Sequence, residues 1–398
     1  MWLRIGIVLV LIVAIGATAN YLRPIPATAA TGSLPASESI PGTPPAIPWP
    51  AHGSAALAVA HLGMIGSSGN EQPIPAASTT KVMTALVLLE DKPLKKGDSG
   101  PTISLTDVDV QYYRTDVAGD QSTVPVEAGE TLTELQALEG ALIPSANNLA
   151  ETLARWDAGS IEAFVTKMNK RAADLQMTHT RFADVSGASP GSVSTPSDLV
   201  KLGTYAMEHQ DVIAQVVAMG QADLPVAGTV YNVDSVLGKS GIFGIKTGSG
   251  LNTGANFMFA ANATVDGSQV VVYGCVMGEP TLQQAFTDTQ TLIGAVTSAL
   301  HVRKVITQNQ TLATYTTAWG EQTDLVASVD VSLVEWPGMV LRQRLRANSL
   351  TVDHPIAPRT QEGSVHLVLG DYDLDVPLVT ADPLYPPGRF WRLTRISL

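Results

Sequence analysis

Apolar and polar positions alternate along this chain in blocks of different period. A nearly unbroken apolar run follows Arg4, from Ile5 to Ala19. Between Pro24 and Pro50 no period survives, and Pro, Ala, Ser and Thr dominate, which predicts an extended tether over residues 24–53. Periodicity begins with Ala55-Leu57-Val59 and His61-Gly63, read as a strand pair, and then turns helical. Val82 to Leu89 is apolar almost all round and predicts a buried helix. Leu135, Leu138 and Leu142 line one face of a second helix, opened by the capping box Thr131-Leu132-Thr133-Glu134. Pro144 ends it and Ser145 can cap the next, where Leu149, Leu153 and Trp156 recur at helical spacing. Ile161, Phe164, Met168, Ala172 and Leu175 predict a further helix, and Thr195-Pro196-Ser197-Asp198 starts another that runs to about Glu208. Strand patterns follow at 241–246, 256–263 and 269–277, the last two joined by the hairpin signal Asp266-Gly267, before a closing helix from about Leu282 to Leu300. Residues 54–302 therefore predict an α+β domain with an antiparallel sheet and a helical cluster.

From about Val305 the runs are short and alternating, and are punctuated by Pro337-Gly338, Asn348 and Gly370-Asp371. Residues 303–398 thus predict a small all-β, sandwich-like domain. Arg342, Arg344 and Arg346 share one strand face, read as solvated. The end of the chain, Arg389 to Leu398, is a basic and aromatic tail suited to a membrane surface, a last strand or a docked terminus.

Composition narrows the function. A length of 398 residues supports two domains, and a formal charge of −12 argues against nucleic acid, whose phosphates need clustered Lys and Arg. The single cysteine, Cys275, lies in the apolar run 270–276 and reads as a buried strand residue. The compartment is set instead by the N-terminus. One positive charge, an apolar run and the small-residue site Ala17-Thr18-Ala19 read as an export signal over residues 1–23, with a second such site at Ala27-Thr28-Ala29. Signal peptide and uncleaved anchor both fit, and either one places the rest of the chain outside the cytoplasm, secreted or held on the outer face of the cytoplasmic membrane.

Candidate chemistry starts at Ser78 and Lys81. Three residues apart on a helix, they stack on one face, with the Ser78 hydroxyl at the positive end of the helix dipole. The apolar residues after Lys81 strip its hydration, which disfavours the ammonium and makes the amine a base near neutral pH. A capping serine beside a snorkelling lysine fits the same spacing. Gly97-Asp98-Ser99-Gly100-Pro101 looks like part of another nucleophile motif, but it lies in a polar loop and none of the seven histidines has a supporting motif around it.

Together with Ser145-Ala146-Asn147 and Lys246-Thr247-Gly248, the run Ser78-Thr79-Thr80-Lys81 resembles the motif set of the penicillin-recognising serine enzymes, in order and approximate spacing. The surrounding residues 77–86, Pro144 to Asn148, Met168-Asn169 and Gly244 to Gly248 resemble the low-molecular-weight penicillin-binding proteins, the serine-type D-alanyl-D-alanine carboxypeptidases. Trp319-Gly320-Glu321, Ala357-Pro358 and 376–379 resemble that family's appended β-domain.

The resemblance implies a β-lactamase/transpeptidase-like fold and a peptidase that trims peptidoglycan stem peptides and binds β-lactams covalently, with no metal or cofactor. It also implies roles. Ser78 attacks the carbonyl between the terminal D-alanines, Lys81 takes its proton and Ser145 relays it to the leaving amine. Asn147 holds Lys81 and the substrate backbone, Lys246 and Thr247 bind the terminal carboxylate, and Gly248 lets substrate lie along the strand edge. The backbone N–H groups of Ser78 and Ser249 form the oxyanion hole, each donor typically worth about 3 kcal/mol.

Some positions depart from the family pattern. Asn148 stands where the family usually has Asp. No arginine occurs between Arg181 and Arg303, although the family commonly sets one near the substrate carboxylate, which leaves Lys246 and Thr247, with Ser249 or Thr253, to bind it. If the protein is tethered, the N-terminal run is expected to do it. Two other readings stay open: a class A-like β-lactamase, for which the stretch 180–195 lacks the needed Glu, and a non-catalytic exported wall-binding protein.

Overall fold

A computed structural model describes residues 2–32, 34–68, 71–250 and 253–395. The chain divides into two compact units: residues 45–300, and residues 1–44 together with 301–398.

The first unit is built on a five-stranded antiparallel sheet of β1 (Ser54–Val59), β2 (Gly63–Ser67), β3 (Ile242–Gly250), β4 (Gly254–Val265) and β5 (Ser268–Glu279), in the order β3-β4-β5-β1-β2. Alternation along β4 sends neighbouring side chains to opposite faces. Phe257 meets Phe286 edge-on at 4.9 Å, on the face covered by the helix Leu282–Ala299. Met258 points the other way, toward Gly203 of the helix Pro196–His209. Cys275 is fully buried in β5.

The helical cluster on that second face contains α1 (Thr80–Asp91), α2 (Asp107–Ala118), α3 (Glu134–Leu142), α4 (Asn147–Ala158) and α5 (Ile161–Asp174). Every residue of α1 from Thr80 to Leu89 is buried, as expected of a helix apolar almost all round. Thr195 caps the helix Pro196–His209 by accepting from the Asp198 N–H, with Pro196 at its start.

Two expectations about helix starts shift. The capping box of α3 is Thr133 with Gln136, not Thr131 with Glu134, because Thr131–Thr133 is a strand paired with Thr102–Ser104 and Thr131 spends its backbone on that ladder. Ser145 does not cap α4. Ala146 occupies the N-cap without a side-chain bond, and Ser145 sits at φ +68°. The sequence pattern also misses α2 altogether. Its buried residues are Asp109 and Asp116 rather than an apolar stripe, so no hydrophobic period marks it.

In the second unit a seven-stranded sheet runs, in order, Ala30–Thr31, Thr311–Thr316, Gln322–Ala327, Tyr372–Thr380, Gln361–Leu369, Val340–Ala347 and Ser37–Ser39. A separate pair joins His301–Ile306 to Val331–Glu335. The stretch expected to be an extended tether is therefore partly ordered. Its two short strands close both edges of the sheet, and Thr28 exchanges both backbone bonds with Leu350 at 2.8 and 2.9 Å. Edge pairing needs only main-chain donors and acceptors, so it leaves no side-chain period to read.

Residues Trp2–Leu22 form a 21-residue helix that contains an 18-residue window of mean hydropathy 2.3. The tail folds as a short helix, Arg389–Thr394, within the same unit. Arg392 donates to the Tyr21 carbonyl at 3.0 Å and stacks on the Tyr21 ring, while Arg395 donates to the carbonyls of Asn20 at 2.8 Å and Pro24 at 3.0 Å. Cations here satisfy carbonyls that the end of a helix leaves unpaired. Residues 396–398 of the expected tail lie outside the described residues.

Candidate active site

The site is assembled where α1 begins. A 3₁₀ turn, Ala77–Thr79, carries Ser78 and runs straight into α1, so Ser78 and Lys81 share a face as their spacing requires. The turn is pinned to the sheet by Asn256 of β4, wholly buried. Its amide donates to the carbonyls of Pro75 and Ala76, both at 3.0 Å, and accepts from the Gly278 N–H at 2.9 Å. The sequence carries no sign of Asn256's role, since the two carbonyls it bonds lie about 180 residues away in the chain.

Lys81 is 1% exposed. Its Nζ lies 2.8 Å from Ser78 Oγ, 2.6 Å from Asn147 Oδ1 and 3.0 Å from the Ser186 carbonyl. The orientation of the Asn147 amide is fixed by its Nδ2, which donates to Gln121 Oε1 at 3.3 Å. Oδ1 and the Ser186 carbonyl can only accept, whereas a hydroxyl can also donate. A neutral amine gives its two N–H groups to those two acceptors and turns its lone pair on Ser78 Oγ. Burial, reinforced by the charge of Lys246, holds the Lys81 pKa well below its ordinary value, and Asp184, Asp116 and Glu151 act in the opposite sense.

Ser186 belongs to a loop that the sequence did not single out. Asp184 is its hub, accepting from Ser186 Oγ at 3.0 Å, the N–H groups of Ala188 at 2.8 Å and Ser189 at 3.2 Å, and Ser192 Oγ. Gly187, at φ +82°, packs on Ala77, the residue before Ser78. A Cβ there would fall 1.8 Å from the Ala77 carbonyl oxygen.

Asn148 is buried and uses both ends of its amide on one residue, accepting from the Val124 N–H at 3.2 Å and donating to its carbonyl at 3.0 Å. An Asp could not make the second bond, so the departure at this position suits the local backbone. Ser145 is 4% exposed, and among the described residues its hydroxyl has no hydrogen-bond partner.

The third motif lies within β3, at the free edge of the sheet, rather than at the strand's end, because β3 continues to Gly250. Lys246 is 3% exposed and its Nζ donates to the Thr247 carbonyl at 3.1 Å. Burial brings its pKa down to about 7, against the pull of Asp234. Gly248 faces the turn that carries Ser78, since a Cβ there would sit 3.0 Å from the Ser78 N and 3.2 Å from the Ala76 carbonyl oxygen. Its bare Cα therefore lets the turn approach the strand, a closer constraint than the room for substrate expected from sequence. Ser249, next along β3, is exposed.

Comparison with known proteins follows the same residues. Residues 54–281 match the peptidase S11 family, D-alanyl-D-alanine carboxypeptidase. The chain is 32% identical over 152 residues to a D-alanyl-D-alanine endopeptidase of Haemophilus influenzae, covering 38% of this chain and 49% of that relative, about half its length. It is 34% identical over 227 residues to the D-alanyl-D-alanine carboxypeptidase DacB2 of Mycobacterium tuberculosis, covering 54% of this chain and 72% of that one. The crystal structure of penicillin-binding protein 5 from H. influenzae shares the fold, with a TM-score of 0.62 at 18% identity over 87% of this chain and 100% of the other.

Proposed function

The chain belongs to the D-alanyl-D-alanine carboxypeptidase family, and we propose that it removes the terminal D-Ala from peptidoglycan stem pentapeptides through an acyl-enzyme on Ser78. The observation that carries this reading is the buried Lys81 Nζ 2.8 Å from Ser78 Oγ, with burial holding its pKa well below the ordinary value and so favouring the amine that could take the Ser78 proton. As Oγ attacks the carbonyl between the two D-alanines, its proton passes to Lys81, and the two fixed acceptors, Asn147 Oδ1 and the Ser186 carbonyl, steady the ammonium that forms. Ser145, with its hydroxyl unspent, hands the proton to the departing amine. The substrate's terminal carboxylate restores full charge to Lys246 and bonds Thr247, with Ser249 beside them in place of an arginine. The peptide adds to the free edge of β3, and the N–H groups of Ser78 and Ser249 receive the oxyanion. Penicillin enters by the same attack and stays as the acyl-enzyme.

Release of D-Ala from a synthetic pentapeptide, run beside nitrocefin hydrolysis, tests the reading. D-Ala release that far outpaces nitrocefin turnover supports a carboxypeptidase. Rapid nitrocefin turnover without D-Ala release would make the protein a β-lactamase instead.

The helix Trp2–Leu22 stays attached, in this reading, and holds the enzyme on the outer face of the cytoplasmic membrane. Supporting this, Ala17-Thr18-Ala19 lies inside the helix, and Ala27-Thr28-Ala29 includes the buried Thr28, bonded to Leu350. A processing peptidase needs an extended, accessible segment, which the first site lacks, while at the second the buried Thr28 lies between the exposed Ala27 and Ala29. N-terminal sequencing of the membrane-bound protein should start at residue 1 or 2; a start at Asn20 or Ala30 would show that the helix is removed.

A further inference from the structure

The loop that follows α2 runs along the start of α4 and is held there residue by residue. Asp120, at φ +54°, turns the chain, and the Gln121 N–H donates to the Asp116 carbonyl at 2.9 Å. The Ser122 carbonyl then accepts from the Asn147 N–H at 2.8 Å, and the backbone of Val124 bonds both ends of the Asn148 amide. The Gln121 side chain is exposed, yet both ends of its amide are engaged. Nε2 donates to the Gly119 carbonyl at 2.9 Å, and Oε1 accepts from Asn147 Nδ2 at 3.3 Å. These bonds have a direction. A main-chain carbonyl can only accept, so the end of the Gln121 amide beside Gly119 is its NH2 group, and its oxygen is left for Asn147. Meeting an acceptor, Asn147 gives its own NH2 group to Gln121 and its oxygen to Lys81 Nζ, 2.6 Å away. Reversed, Asn147 would present an N–H to Nζ. The amine could receive it only with its lone pair, which the proposed mechanism needs for the Ser78 proton.

We infer that Gln121 is a positioning residue for the reaction. Through the series of Gly119 carbonyl, Gln121 amide and Asn147 amide, the loop after α2 sets which way Asn147 faces and so leaves the Lys81 lone pair for Ser78. Gln121 acts through Asn147 and bonds neither Ser78 nor Lys81. Asn147 itself is 3% exposed, so little water is at hand to take the place of Gln121 Oε1. An amide NH2 group has two hydrogens. With one held by Gln121, the other remains for a carbonyl of the bound peptide, so the same contact serves both tasks of Asn147.

Gln121 can act in this way only if Lys81 is the base, as proposed above, and the test keeps the two claims apart. The saturating rate of acylation by a fluorescent penicillin is measured near neutral pH for the full-length wild type, Gln121→Met and Gln121→Glu, with a thermal melt of each. Methionine keeps the length of the side chain but offers no strong acceptor, so Asn147 loses its guide. The rate should fall roughly fivefold, the weight of a single neutral hydrogen bond. Glutamate is ionised near neutrality and accepts at both oxygens, so it needs no bond to Gly119 in order to face Asn147 correctly. Its rate should stay within about twofold of wild type, well inside the loss expected for methionine. A role confined to shaping the loop has the opposite consequence, because glutamate cannot donate to the Gly119 carbonyl. Both variants would then lose rate alike, or both would melt at lower temperature. Either result overturns the inference, as does a Gln121→Met protein that acylates at the wild-type rate. A wild type that is not acylated at all removes the base assignment, and the role of Gln121 with it.

Discussion

Replacing Lys81 with methionine is expected to slow acylation by about a thousandfold or more in a protein that still folds. Methionine matches lysine in length and flexibility and fills the same buried channel, so the packing of α1 survives. What disappears is the amine proposed to receive the Ser78 proton. No replacement stands nearby, because the other two partners of Nζ, Asn147 Oδ1 and the Ser186 carbonyl, are acceptors that cannot take a proton at neutral pH. Opposing effects limit the loss of stability. The two acceptors lose a bond, at about 1–3 kcal/mol each, but a buried amine no longer has to be desolvated. Stopped-flow acylation with a fluorescent penicillin, alongside urea melts, measures both quantities. A Lys81→Met protein acylating within tenfold of wild type would remove Lys81 from the mechanism.

Gly187→Ala is expected to have the largest effect on stability, about 3 kcal/mol or more, with acylation impaired in whatever fraction folds. Two costs combine. An alanine at φ +82° is strained by about 1 kcal/mol, and its Cβ would lie 1.8 Å from the Ala77 carbonyl oxygen, so the backbone of the loop or of the nucleophile's turn must move. Either movement disturbs the reaction, since Ala77 precedes Ser78 and Ser186, which precedes Gly187, holds Lys81. Gly129→Ala provides the control. Its φ is +88° with nothing within 4 Å of the added Cβ, so it carries the strain without the clash and should cost only about 1 kcal/mol. Equal melting midpoints for the two variants would show that the Gly187 contact is not tight.

The parts of the site that could be read from sequence are those whose geometry is local. Ser78 and Lys81 meet because three residues of helix bring them together, and the buried state of Lys81 follows from the apolar residues behind it. The hinge between α3 and α4 was marked by Pro144, although the left-handed backbone of Ser145 was not. Long-range partners left no such mark. The Ser186 carbonyl is a main-chain group and could belong to any residue, and Asn256 reaches a turn far from it in sequence. Asp109 and Asp116 were invisible for a different reason. A helix that buries acids on its inner face carries no hydrophobic period, so α2 could not be inferred from pattern. The edge strands at 30–31 and 37–39 escaped for the same reason as the Ser186 carbonyl: their bonds are made by backbone alone.

The central claim is that Ser78, deprotonated by Lys81, is the nucleophile. Intact-mass and peptide mapping of the protein after brief exposure to penicillin test it most directly. A single penicilloyl adduct is expected on the peptide carrying Ser78 in wild type, and none in a folded Ser78→Ala variant. An unmodified wild type, or an adduct that persists in Ser78→Ala, would contradict it.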